Sequence, residues 1–364
     1  VRIGIVSYWF NRGQAVVSRQ VRSALDSLGH ETFVLARPTT ETNIRASFVD
    51  HTDVWDQPGI TEASAYDIPP REYLEWAETN QLEIALFDQN YGFEGITGLR
   101  ESGVRTIGRF VWEQFSAEDV KPAQGAFDVI YSLTSCERER YAKMGIDSPR
   151  VQWGIHPELL SYADPHRDPS VVTYFYPGGF LSKRKPIDDV LEGFRKTRGE
   201  DLRLVVKGQV ERKRGRLERA SQRDSRIEFI LEDQPTDEHL RLFSAGDVCL
   251  APSRWEGLGL HLYEAMAFGM PVITNDFPPM NEVIADGVNG LLVPSRQTGE
   301  ASSGIPAVDV KAKDLSRAID RLADPEERAR LTEGARRTRD ELSWSRTVEG
   351  YAGLLELVSS GSST

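Results

Sequence analysis

Arg254-Trp255-Glu256-Gly257-Leu258-Gly259-Leu260-His261-Leu262-Tyr263-Glu264-Ala265-Met266-Ala267 is the stretch that decides how this chain is read. Two glutamates, Glu256 and Glu264, bracket seven residues in which glycines alternate with apolar side chains, and an apolar helix-like run follows. The segment just before it, 247–253, reads as a strand. Strand, glycine-rich loop and helix, in that order, turn backbone N–H groups and a helix N-terminus toward phosphate oxygens. Glu256 falls on the loop and Glu264 about a turn and a half into the helix. Taken alone, two glutamates at this spacing are also what a solvated helix face provides.

A second informative stretch is Pro177-Gly178-Gly179-Phe180-Leu181-Ser182-Lys183-Arg184-Lys185-Pro186. It leaves a strand, turns through two glycines and presents three consecutive cations before a helix. Cations in such a place suit a diphosphate whose charge grows as it departs, although a solvated basic turn has the same composition. Lys207-Gly208 ends the next strand, where backbone closely approaches a neighbour, and is expected to line the same site. The run Arg212-Lys213-Arg214-Gly215-Arg216 lies in a charged helical stretch and reads as a solvated face.

The block from Ser253 to Gly269, continued by Met270-Pro271-Val272-Ile273, Glu282-Val283-Ile284 and Asp286-Gly287-Val288-Asn289-Gly290-Leu291-Leu292-Val293-Pro294, resembles retaining glycosyltransferases of family 4. The two glutamates match the E-x7-E signature of that family, and the similarity covers roughly residues 171 to 345. The resemblance implies an α/β fold of the GT-B type, two Rossmann-like domains facing across a cleft, with no metal and no cofactor beyond the nucleotide-diphosphate sugar substrate. It gives the donor to Gly179, Lys183, Arg184, Lys185, Lys207, Gly208, Gln234, Pro235, Glu256, Gly257, Leu258, Gly259, Leu260 and Glu264. Within that set Glu256 orients the sugar, Lys185 neutralises the leaving group, Glu264 meets the ribose hydroxyls, and Gln234-Pro235 borders the nucleobase through backbone.

The sequence departs from the family pattern in several places. Phe180 stands where the family has arginine, which leaves Lys183 or Arg184 to supply the charge, and Pro186 replaces a glycine. Asn281 replaces a proline. The segment 108–113 lacks the histidine that family members often carry beside the reacting sugar; Trp112 and Glu113 are expected to line the site instead. With Trp9, Asn11 and Gly13 of the first loop they form the expected acceptor set. That loop has no histidine to act as a base, which agrees with retention. His261 reads as a structural histidine.

Length and composition fit this picture. A chain of 364 residues accommodates two domains with separate cores. No apolar run approaches the roughly 18–20 residues of a membrane span. The net charge of −12 argues against nucleic acid as a partner. Residues 1–155 hold 22 Asp+Glu against 15 Lys+Arg, which argues against docking on anionic lipid. Cys136 and Cys249 lie in or beside apolar segments and are expected as buried thiols in a cytoplasmic protein. Oligomeric state leaves no trace.

Strands are expected at 3–7, 32–36, 84–87, 106–110 and 129–132, then at 171–176, 202–207, 227–231, 247–251 and 271–274. Residues 38–70 are expected to be an irregular excursion. The alternation divides the chain into 1–155, a linker over 156–170 and 171–344; the family resemblance implies that the first is an acceptor domain, the second a donor domain, and that a last helix over 345–364 crosses back to the first domain. Five of the seven tryptophans (Trp9, Trp55, Trp76, Trp112 and Trp153) lie in the N-terminal half, as stacking platforms for an acceptor sugar or as core.

The expected activity is transfer of a hexosyl unit from a UDP-sugar, or a GDP-sugar, to a hydroxyl of a sugar-containing or small-molecule acceptor. A degenerate homologue that only binds nucleotide, sugar or a partner is the alternative, and a sugar-nucleotide epimerase a second. The epimerase lacks locatable acid–base residues, a phosphorylase needs a longer chain, and a dehydrogenase lacks the third glycine after Gly257-Leu258-Gly259.

Overall fold

The computed structural model describes residues 1–39, 48–209, 215, 219 and 222–360. Most of the helix expected near 211–222, with Arg212, Lys213, Arg214 and Arg216 of the basic run, lies outside them, as do 40–47 and the last four residues. The chain divides into two compact units, Val1–Trp153 with Trp344–Thr364, and Gly154–Ser343.

The first unit is built on β1 (Arg2–Tyr8), β2 (Glu31–Arg37), β3 (Ile60–Glu62), β4 (Ile84–Asp88), β5 (Arg105–Arg109) and β6 (Val129–Tyr131). Every pairing is parallel, in the order β3-β2-β1-β4-β5-β6. Helices cover both faces of a parallel sheet, so its strands are apolar through their middles; β4 is buried at all five positions, Asp88 at its end included. Those apolar runs are what made the strands legible. The short β3, inside the expected irregular excursion, was not: only three residues pair there, and two are exposed.

The helix Gly13–Ser27 follows β1 and stops where Gly29 takes a left-handed φ of +80°, with His30 N–H bonded back to Leu25 O in the pattern of a helix C-cap. The last helix, Trp344–Ser360, belongs to this unit. Its Thr347 hydroxyl donates to Gln152 O at 2.8 Å, and the Tyr351 and Tyr131 hydroxyls meet at 3.1 Å.

The second unit repeats the plan with β7 (Val172–Phe180), β8 (Leu202–Gln209), β9 (Ile227–Ile230), β10 (Val248–Leu250), β11 (Val272–Asn275) and β12 (Gly290–Val293). The order β12-β11-β10-β7-β8-β9 is again wholly parallel. Read from its first strand, each sheet has the doubly wound order in which the winding reverses beside that strand, and ligands of such sheets bind at the carboxyl ends at this switch point. In the second unit the switch lies between β7 and β10.

A separate antiparallel hairpin, β13 (Ser295–Glu300) with β14 (Pro306–Val310), follows β12. Segment 156–170 falls within the second unit and is tied to its helices: Arg167 donates to Phe268 O at 2.9 Å, and Asp164 accepts from Arg336 and Arg339. Among the described residues no helix is long and apolar enough to cross a membrane, and no group of three or more His, Cys, Asp or Glu is arranged to hold a metal ion. Cys136 and Cys249 are both buried and form no disulfide.

Candidate active site

The loops that leave β7 and β10 meet at the switch point. From the first come Arg184 and Lys185; from the second come Ser253 and Glu256. Lys185 and Glu256 are only 5% and 4% exposed. The Lys185 ammonium donates to Glu256 Oε1 and, at 2.7 Å, to Ser253 Oγ, while the Ser253 hydroxyl donates to the same carboxylate oxygen at 2.7 Å. Arg184 donates to the other oxygen, Oε2, at 3.0 Å. Ser253 is fixed in turn by its own N–H, which donates to Asn275 Oδ1 at the end of β11 at 2.7 Å.

Burial opposes the ionised form of Glu256, but Arg184 and Lys185 outweigh it and hold the carboxyl well below the usual carboxylate range. A buried ion pair of this kind is costly to desolvate and is kept together by its full set of hydrogen bonds. Three buried polar atoms near this cluster have no hydrogen-bond partner among the described residues: Tyr176 OH, His261 Nε2 and Asn275 Nδ2. Burial and then the neighbouring Lys185 push His261 down to about 3, so its imidazole is neutral.

Gly259 caps the helix Leu260–Ala267 at a φ of +76°, a conformation that a residue with a Cβ adopts only with strain. This turn starts the helix directly after Gly257-Leu258-Gly259, and the first-turn N–H groups lack intrahelical acceptors. On that helix Glu264 is mostly buried, and burial, reinforced by Glu158, pushes it up to about 7.

Glu264 therefore lowers stability in a defined pH window. Between the usual glutamate value of 4.5 and about 7, the folded protein keeps a proton that the unfolded chain has lost, so stability falls as pH rises and then levels off. Glu264→Gln is expected to match wild type closely in thermal midpoint near pH 5 and to exceed it increasingly up to pH 8. A constant difference across that range would contradict the protonated state.

The other expected donor residues are dispersed over neighbouring loops. Lys183 is exposed, whereas Arg184 is on Glu256. Phe180 ends β7 and pairs with Gln209. Gly179 has a φ of +52° and is exposed. Lys207 is buried and donates to Glu232 O; burial, and then Lys207, push His239 down to about 4. The bare Cα of Gly208 makes room for Leu181, which a Cβ would approach to 2.8 Å. Gln234 has a buried Oε1 with no hydrogen-bond partner among the described residues, and Pro235 stands at the start of the helix Thr236–Ser244.

The aromatic reading of the first unit needs correction. Trp9 is fully buried, its indole N–H donates to Trp55 O at 2.9 Å, and its ring meets Trp55 edge-on at 5.4 Å. No face of Trp9 is open to a sugar. Trp55, Trp76, Trp112 and Trp153 are buried as well; these side chains build the core. Of the remaining expected acceptor residues, Gly13 is exposed at the head of its helix, Asn11 accepts from Arg12 through its carbonyl, and Glu113 is partly buried.

Sequence reasoning missed a second buried pair. Asp88 and Arg109 end neighbouring strands β4 and β5 in register, and meet at 2.8 Å. It also gave no role to Ser253 or Asn275, whose one signal was their position at carboxyl ends of predicted strands.

Residues 173–338 match the model of glycosyl transferases group 1. A D-inositol 3-phosphate glycosyltransferase from Saccharomonospora viridis is 31% identical over 120 residues, 33% of this chain and 25% of that protein. The stretches shared with such curated relatives span between 14% and 33% of those proteins' lengths. Sucrose-phosphate synthase from Thermosynechococcus elongatus superposes with a TM-score of 0.75 at 17% identity, covering 99% of this chain and 100% of that one. An Anabaena protein solved in complex with UDP-glucose superposes with a TM-score of 0.70 at 13% identity, covering 98% and 99%. Residues 173–338 of this chain are thus similar to the glycosyl transferases group 1, and the chain is built on the GT-B fold.

Proposed function

We propose that the protein moves a hexosyl unit from a nucleotide-diphosphate sugar to a hydroxyl of a sugar-containing or small-molecule acceptor, with retention of anomeric configuration and without a metal ion. The observation that carries this reading is the meeting of Arg184, Lys185 and Ser253 on the Glu256 carboxylate at the switch point. In glycosyl transfer, positive charge develops at the sugar ring and negative charge on the departing diphosphate. Arg184 and Lys185 supply fixed positive charge for the diphosphate, and first-turn N–H groups of the helix Leu260–Ala267 add to it.

Glu256 accepts from both of those cations. An incoming diphosphate takes them over, and the released carboxylate is then free to accept hydrogen bonds from sugar hydroxyls. Arg184, and not the exposed Lys183, takes the place of the arginine lost at Phe180. UDP is favoured as carrier, in keeping with the fold shared with the UDP-glucose-bound Anabaena protein, and a hydroxyl acceptor fits the inositol phosphate named for the Saccharomonospora relative.

The test is a nucleotide-release assay with UDP- and GDP-hexoses in EDTA against a panel of hydroxyl acceptors, with NMR of the product's anomeric coupling. Metal-free release of one nucleoside diphosphate, with the donor's anomeric configuration kept, is expected. An inverted product, or release only on adding a divalent cation, would overturn the mechanism.

A further inference from the structure

The hairpin β13–β14 is a two-stranded sheet of its own, set apart from the six-stranded sheet of its unit. Residues 296–300 of β13 are exposed, so the hairpin contributes little apolar core from that strand. β14 anchors the hairpin through buried Ala307, Val308 and Val310, the last in the unit's core, and the polar contacts that join it to the loop after β10 centre on one residue. Val308 N–H donates to Arg254 O at 3.0 Å. The Arg254 guanidinium donates to Asp309 Oδ1 at 2.5 Å and to Thr298 Oγ1 at 3.2 Å, and Thr298 Oγ1 donates to Asp309 Oδ2 at 2.7 Å.

Arg254 stands between Ser253 and the loop residue Glu256, and its own N–H donates to the carbonyl of Arg184 at 2.8 Å. Arg254 is thus gripped by the hairpin on one side and grips the backbone of the cationic loop on the other. That loop turn is short and follows the carboxyl end of the central strand β7, so the bond to Arg254 fixes where the Arg184 guanidinium can reach.

We infer that Asp309 and Thr298 are positioning residues for the donor's diphosphate: acting through Arg254, they set the backbone of Arg184. Neither touches substrate. The inference rests on the reading of Arg184 as a diphosphate ligand.

The experiment has two readouts on the full chain. Hydrogen exchange without nucleotide compares wild type with Asp309→Ala. Calorimetry with UDP, free of metal, compares wild type, Asp309→Ala, Arg184→Ala and the double variant. Loss of a partly exposed ion pair is expected to speed exchange at the Arg254 amide and to weaken UDP binding by about fivefold each. In the double variant UDP binding should be no weaker than in Arg184→Ala alone, because the relay has nothing left to position.

A merely structural hairpin predicts additive losses. Additive losses, or unchanged exchange at Arg254, would overturn the relay and leave the donor reading standing. Wild-type protein that binds no UDP would overturn the donor reading and the relay with it.

Discussion

Glu256→Gln is expected to transfer sugar about 10²–10³ times more slowly than wild type, the usual cost of removing one preorganised contact at a reacting centre, while binding nucleoside diphosphate at least as tightly. The two effects have one cause. Both carboxylate oxygens are committed, Oε1 to Lys185 and Ser253 and Oε2 to Arg184. A diphosphate competes with that carboxylate for the same cations. Glutamine keeps the shape and one acceptor oxygen but drops the charge, so the competition weakens and nucleotide binding gains. The sugar loses its ionised acceptor, so kcat falls. Steady-state kinetics and nucleotide titration on one preparation separate the two. Nucleotide binding lost together with activity, in a variant of wild-type stability, would reduce Glu256 to a structural counter-ion.

Lys185→Ala is expected to abolish detectable transfer and to destabilise the fold by about 3 kcal/mol, the lower end for breaking a buried pair because Arg184 still faces the stranded carboxylate. The loss is expected to grow toward neutral pH. Although burial pushes Glu256 up, its cations hold it below the usual range. Such a depressed acid contributes stability above its unfolded value and loses it as pH falls through the folded one. Without Lys185 that contribution shrinks across the neutral range, where Glu256 must be ionised, and in strong acid wild type and variant converge. Lys185→Met with Glu256→Leu is expected to recover much of the stability and none of the activity, since it removes the charges as a pair. Urea midpoints at several pH values decide it. A Lys185→Ala protein as stable as wild type at pH 7 would mean the pair is hydrated and weak.

What could be read from the sequence follows the physics of parallel sheets. The strands buried on both faces, such as 3–7 and 84–87, announce themselves as apolar runs, and β1 and β4 stand there. The loop after β10 was legible because its glycines have few other uses; Gly259 does adopt the left-handed turn that starts a helix. The hairpin at 295–310 was not legible. Ser295-Arg296-Gln297-Thr298-Gly299-Glu300 offers no apolar alternation, and its pairing comes from backbone bonds to β14.

The ion pair between Lys185 and Glu256 spans 71 residues of sequence, and spacing along a chain carries no information about a contact made by two loops. Tryptophan content misled for a related reason. An indole that stacks on sugar and one that fills a core have the same composition, and only burial separates them. At Trp9 the bond to the Trp55 carbonyl settles the matter for the core.

The most direct test of the central claim, that Arg184, Lys185, Glu256 and Glu264 form the donor end of a sugar-nucleotide site, is calorimetric titration with UDP, GDP and ADP in metal-free buffer, on wild type and Glu264→Ala. The account predicts that wild type binds one of the three, UDP first, and that the variant binds it more weakly while keeping its fold. Folded wild-type protein that binds none of them would contradict it.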